Sequence, residues 1–99
     1  MKKIPFAYSI HPGDILQTEF MEALGLSRYR LAGELHVSAP RVNDVVRPKR
    51  SITADTAMRL STYFGTSAQL WLGLQMDHDL WVAAKNKSLA KVKPRAQAA

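Results

Sequence analysis

Arg41, Asn43 and Asp44 stand within four positions of one another and carry three different chemistries for reading a base edge. A guanidinium fork fits guanine O6 and N7, and a carboxamide fits adenine N6 and N7. A carboxylate accepts from a cytosine amine, or else orients the neighbouring Arg41. Ala39 adds a methyl group suited to a thymine methyl, and Pro40 occupies the same stretch without supplying a donor. Around this core lie side chains suited to phosphate. Arg28 follows Ser27 at one helix start, Ser38 opens the next helix, and Arg47, Lys49 and Arg50 follow its end. Backbone N–H groups at helix starts and basic side chains at helix ends are the usual phosphate ligands.

Such a set works only if two helices cross at a fixed angle. Leu31, Ala32, Leu35, Val37, Val42 and Val45 have the spacing a helix-turn-helix requires. The small Ala32 allows close crossing, the larger residues fill the angle, and His36, Val37 and Ser38 make a three-residue turn. His36 stands where a left-handed residue is needed, a conformation in which histidine is enriched among non-glycine residues. This leaves Ala39, Pro40, Arg41, Asn43, Asp44 and Arg47 on the outer face of the second helix, free to enter a major groove. The alternative is that these charges form a merely solvated face. It is disfavoured because the interhelical apolar pattern and the basic charge coincide.

The surrounding chain reads as all-α. His11-Pro12-Gly13-Asp14 has the proline and the acid of a helix start, and Ile15, Leu16, Phe20, Met21 and Leu24 follow on one face before Gly25. Ser27 is expected to cap a second helix bearing Tyr29, Leu31, Ala32 and Leu35, and Ser38 a third that stops before Pro48. Thr53 is expected to cap a fourth with Ala57, Leu60, Tyr63 and Phe64 inward, closed by Gly65. Ser67 is expected to cap a fifth with Leu70, Trp71, Leu74, His78 and Trp81 along one side. Strand-like alternation is nowhere sustained. The expected organisation is an extended arm over 1–10, one domain over 11–85 and a flexible basic tail over 86–99.

Composition narrows the function classes. The 99 residues suffice for one small core and leave little for a large enclosed active-site cavity. The absence of cysteine excludes disulfides, cysteine-ligated zinc, iron–sulfur clusters and thiol catalysis. No apolar run approaches the ~20 residues of a membrane span, and Pro5, His11 and Pro12 interrupt the start before a signal-peptide pattern develops, so a cytoplasmic protein is expected. Fourteen Lys+Arg against eight Asp+Glu give a formal charge of +6. The excess sits in two places. Residues 27–50 hold six basic residues against Glu34 and Asp44, and residues 85–99 hold Lys85, Lys87, Lys91, Lys93 and Arg95 with no acid. That placement favours a nucleic-acid partner.

Beyond the helix-turn-helix, the sequence resembles the HigA family of antitoxins. The resemblance is carried by His11-Pro12-Gly13-Asp14-Ile15-Leu16, Leu24-Gly25-Leu26-Ser27 and Leu31-Ala32. It is carried more specifically by Ile52-Thr53-Ala54-Asp55-Thr56-Ala57 with Leu60, Phe64-Gly65-Thr66-Ser67, Trp71-Leu72-Gly73-Leu74-Gln75 and Asp79-Leu80. It covers about residues 10–82. The resemblance implies a compact five-helix, phage-repressor-like domain that dimerises and binds a palindromic operator on double-stranded DNA as an autorepressor. It also implies a HigB-like toxin partner, a RelE-like mRNA-cleaving enzyme. The chain departs from the family at Arg28, where glutamine is usual, and at His36 and Pro48, where glycine is usual.

Other groupings carry less. Trp71, Leu74, Gln75 and Asp79 have helical spacing and are expected in the core or a dimer contact, with Gln75 and Asp79 one turn apart and suited to a local hydrogen bond. Asp77-His78-Asp79 points in several directions along a helix and does not converge on a metal. No catalytic motif, cofactor motif or phosphate-binding glycine loop is present, and no enzyme or cofactor is expected. The basic tail either adds non-specific DNA affinity or only solubilises the chain. The readings carried forward are an antitoxin and operator-binding repressor, a stand-alone helix-turn-helix regulator without a toxin, and an interaction module that no longer reads DNA.

Overall fold

A computed structural model describes residues 10–96. The described residues form five helices with no β-strand among them. The 1–10 arm lies outside the described residues except for Ile10. Helix α1 runs over 12–24 and has three parts: an α-helical turn Pro12–Ile15, a π-helical stretch Leu16–Met21 and a closing turn Glu22–Leu24. Helix α2 is Arg28–Leu35, α3 is Ala39–Val46, α4 is Ala54–Phe64 and α5 is Ala68–Ala83.

The π-helical stretch follows from the spacing of the apolar residues. Leu16 and Met21 are five apart, which in a regular α-helix would turn them about 140° from one another. Widening the turn brings both onto the core side, where they are 2% and 1% exposed. The strict face expected for this helix ends there, because Leu24 lies outside at 62% exposure.

Each expected cap is made. The hydroxyls of Ser27, Ser38, Thr53 and Ser67 accept from the backbone N–H of Arg30, Arg41, Thr56 and Leu70 respectively. At the start of α1 the Nδ1 of His11 does the same work, accepting from the Gly13 N–H at 2.9 Å. Gly25 and His36 end α1 and α2 in the left-handed region, at φ 66° and 60°. At both ends the next residue donates back into the helix, Leu26 N to Met21 O and Val37 N to Ala32 O, which closes a Schellman motif. His36 therefore takes the geometry that the three-residue turn demands.

Helix α1 packs on α3 and α5, α2 on α3 and α4, and α4 on α5. Leu31, Ala57, Leu60 and Trp71 are fully buried at the centre, with Leu16, Met21, Val42, Val45 and Ile52 around them. Trp71 satisfies its indole N–H on Thr66 Oγ1 at 2.8 Å, and the Phe20 ring packs on Phe64 and Trp71 at 4.8 and 5.1 Å. Gln75 fastens the segment after α3 to α5. Its Oε1 accepts from the Ile52 N–H at 2.7 Å, and its Nε2 donates to Asp79 Oδ1 at 2.9 Å, one turn along as its spacing suggested.

Three aromatic or apolar residues expected inside are not. Tyr29 is 81% exposed, and Tyr63 and Leu70 are also exposed. In α2 the inward positions are already filled by Leu31, Ala32 and Leu35, so Tyr29 falls on the solvent side. Within the basic tail, Asn86 Oδ1 accepts from the Ser88 N–H and supports one short 3₁₀ segment, Lys87–Lys91.

Candidate nucleic-acid interface

Helix α3 buries Val42, Val45 and Val46, and at 3.6 residues per turn the opposite ridge carries Pro40, Asp44 and Arg47. Pro40 and Arg47 are exposed and Asp44 is half-buried. The remaining candidate readers flank this ridge, each tied to a neighbouring helix. On one side Arg28 Nη1, from the first turn of α2, donates to Asn43 Oδ1. On the other side Arg41 pairs with Asp55 in the first turn of α4, Nη1 to Oδ2 at 2.9 Å. Ala39 is half-buried and packs against the core instead of standing clear of it.

The segment after α3 folds back on the same face. Lys49 donates its backbone N–H to Asp44 O at 2.7 Å, and Arg50 Nη2 lies 3.4 Å from Asp44 Oδ2. Asp44 thus draws Arg50 toward the ridge, and Arg47, Lys49 and Arg50 are all exposed beside it. Ser27 and Ser38 have their hydroxyl oxygens engaged in capping, accepting from the first-turn N–H groups of Arg30 and Arg41. The fold therefore leaves Pro40, Arg47, Lys49 and Arg50 exposed along and after α3, while restraining Arg28, Arg41, Asn43 and Asp44 through side-chain partners.

Two residues outside the sequence-derived set complete the geometry. Asp55 also accepts from Arg59 Nε at 2.9 Å, one turn along α4, and Arg59 Nη1 donates to the Leu35 carbonyl at the end of α2, also at 2.9 Å. The hydrogen bond from Arg59, and then that from Arg41, lower the Asp55 carboxyl below its usual range. The spacing of Asp55 and Arg59 marks an i,i+4 pair in the sequence, but its link to Arg41 is visible only in the folded chain.

His11 is not isolated. Its ring meets that of His78 edge to face, with centroids 4.9 Å apart. Burial, and next the proximity of His78, hold its pKa below the usual histidine value, against a smaller opposing pull from Asp14 and Asp79. Asp79 is engaged by Gln75 while His78 turns to His11. Among the described residues no group of three or more His, Cys, Asp or Glu side chains is placed to hold a metal ion. No helix of the described residues is long and apolar enough to cross a membrane.

Two short helices at a fixed angle, a three-residue turn and a basic exposed face define a helix-turn-helix protein. The family model described as Helix-turn-helix matches residues 19–71. Virulence-associated protein I of Dichelobacter nodosus is 52% identical over 79 residues, covering 80% of this chain and 73% of that protein. The solved structure of the Pseudomonas aeruginosa antitoxin HigA with higBA promoter is similar at 46% identity and a TM-score of 0.81, covering 89% of this chain and 97% of that one. An addiction module antidote protein of a HigA family from Coxiella burnetii is similar at 41% identity and a TM-score of 0.80, covering 89% and 99%. The chain belongs to the helix-turn-helix family and, within it, to the HigA antitoxins. That membership places it among DNA-binding regulators and not among enzymes.

Proposed function

We propose that this chain is the antitoxin of a type II toxin–antitoxin module, binding its own operator as a two-fold dimer and neutralising a RelE-like, HigB-like toxin. The observation that carries the DNA half is the single exposed face on which Pro40, Asp44 and Arg47 line α3, with Lys49 and Arg50 beside them and Asn43 and Arg41 braced at its flanks. Asn43, Asp44 and Arg41 read base edges, with Pro40 toward the groove floor and Ala39, packed against the core, behind them. Arg28, Arg47, Lys49, Arg50 and the helix starts at Ser27 and Ser38 hold the backbone phosphates.

Dimerisation is supported by an apolar row on α5. Leu72, Met76 and Leu80 recur every fourth residue and are 37%, 57% and 60% exposed, too regular a row to leave in water. A second copy on this row is expected to set two recognition helices about one helical turn, ~34 Å, apart on a pseudo-palindrome. The toxin half of the reading is supported by the kinship with proteins named as antitoxins.

The test is affinity capture of the tagged chain from its host, with identification of the bound protein and bound DNA, followed by footprinting of the DNA upstream of its gene. A small basic protein recovered together with that upstream fragment supports the antitoxin reading. Upstream DNA without a protein partner points to a stand-alone regulator. A footprint with no preferred site overturns the operator reading.

A further inference from the structure

Apart from the half-buried Ala39, Arg41 is the base-reading candidate whose position on α3 is least outward, since it lies about a quarter-turn from the ridge of Pro40, Asp44 and Arg47. Its side chain is only 27% exposed, and Nη1 is engaged by Asp55. Asp55 is itself held in place. The Oδ2 that pairs with Arg41 also accepts from Arg59 Nε, and Arg59 reaches across to the Leu35 carbonyl. A continuous polar chain therefore runs from the end of α2, through α4, to the recognition helix. Asp55 also sits in the first turn of α4, where a negative charge complements the helix dipole.

We propose that Asp55 is a specificity-positioning residue, presetting the Arg41 guanidinium toward one base step of the operator. The role rests on the operator-binding reading above. An arginine on an open helix face loses rotamer freedom whenever it settles on a base, and it settles as readily on any phosphate within reach. Ordering the fork in advance removes part of that entropic cost from the specific complex. The Asp55 carboxylate acts in the other direction on the non-specific complex, because it neutralises Arg41 and repels a phosphate that approaches it. Of the five N–H donors on the guanidinium, the pair with Asp55 engages one edge, so the fork can still present donors to guanine O6 and N7.

A purely structural residue and a positioning residue predict different outcomes for Asp55→Asn. Loss of the carboxylate leaves the Arg41 and Arg59 guanidiniums facing each other without an acid between them, which drives Arg41 outward. The experiment measures binding of the full-length protein to the footprinted operator duplex and to a scrambled duplex of equal length, across a series of salt concentrations. For Asp55→Asn the operator-to-scrambled affinity ratio is expected to fall about tenfold, the worth of one well-placed arginine contact. Affinity for the scrambled duplex is expected to hold or rise, and its log–log salt slope to steepen by about one as Arg41 reaches a phosphate. Asp55→Glu is expected to recover part of the ratio, and Asp55→Asn to have no further effect on it in an Arg41→Ala background. A parallel loss on both duplexes, accompanied by a lower melting temperature, makes Asp55 a fold-stabilising residue and overturns the positioning role. An unchanged ratio in a wild type that discriminates overturns that role alone. A wild type that does not distinguish the duplexes overturns the operator reading and this role with it.

Discussion

Arg28 Nη1 donates to Asn43 Oδ1, and this hydrogen bond joins the first turn of α2 to the flank of the recognition helix. It gives Arg28 a structural duty beside the phosphate contact proposed for it. With Oδ1 engaged, the NH₂ donors are what the Asn43 amide has left to offer an acceptor on a base edge. Separate substitutions of Arg28 and Asn43 by alanine should each weaken the protein, and the double variant should be no worse than their sum less a coupling of about 1–2 kcal/mol, as for partly buried bonds to a charged group. Urea denaturation of the four proteins measures it. Additive effects would mean that the bond contributes nothing.

Gly13 is required by a close approach. A Cβ placed there would lie 2.0 Å from the Val45 carbonyl oxygen, a backbone atom in the middle of the α1–α3 contact. Gly13→Ala should therefore destabilise by about 1–3 kcal/mol, in the range of overpacked cores. Gly33, in the interior of α2 with open space around it, is the matched control. Gly33→Ala should stabilise by about 0.5–1 kcal/mol. Equal denaturation midpoints for the two variants would contradict the close approach.

His11 makes stability depend on pH. Its Nδ1 accepts the Gly13 N–H, a bond that a proton on Nδ1 abolishes, and the groups facing it are His78, Asp14 and Asp79. Since its folded pKa is lowered, the unfolded chain binds the proton first. The His11 contribution is complete above about pH 6.5 and is lost as pH falls through the folded value. Urea midpoints at pH 7.5 and 5.5 should show this decline, and His11→Asn, which keeps an acceptor for the cap, should show less of it. An identical decline in both proteins assigns the effect elsewhere.

Lys49 is exposed and anchored by its backbone to Asp44 O, which suits a phosphate contact that carries no sequence information. Lys49→Ala should weaken binding to all duplexes alike and reduce the salt slope by about one. Binding isotherms on the operator and on single-base variants of it decide the matter. A loss confined to one variant would place Lys49 on a base.

The apolar row on α5 predicts its own result. Met76→Glu, alone or with Leu80→Glu, should shift the protein from dimer to monomer in sedimentation, because it puts a charge at the centre of the proposed contact. Since both residues are exposed in the single chain, the helical circular dichroism should stay the same. A dimer that survives both substitutions must use another face.

Much of this protein is written locally. The Ser27, Ser38, Thr53 and Ser67 caps act over three residues, and the left-handed residues at Gly25 and His36 close their helices through bonds to the preceding turn. Such interactions depend on residue type and short spacing, so five helices, the helix-turn-helix and the basic face can all be read from the sequence. Solvent exposure is legible less well. Tyr29 and Tyr63 have the apolar character of core residues, but each small helix has room for only a few inward positions, and these are taken by Leu31, Ala32 and Leu35 in α2 and by Thr56, Ala57 and Leu60 in α4.

The sequence by itself determined which side of α3 is buried, because helical periodicity sorts the helix into a Val42–Val45–Val46 side and an outer one. Only the tertiary structure decided how those outer residues are held. Arg28 meets Asn43, Arg41 meets Asp55, and His11 meets His78, each across a helix boundary. These pairings follow from where α1, α2, α4 and α5 lie against α3 or one another, and that placement is set by packing around Trp71 and Leu60. No spacing rule encodes it, since the partners approach through space and not along one helix.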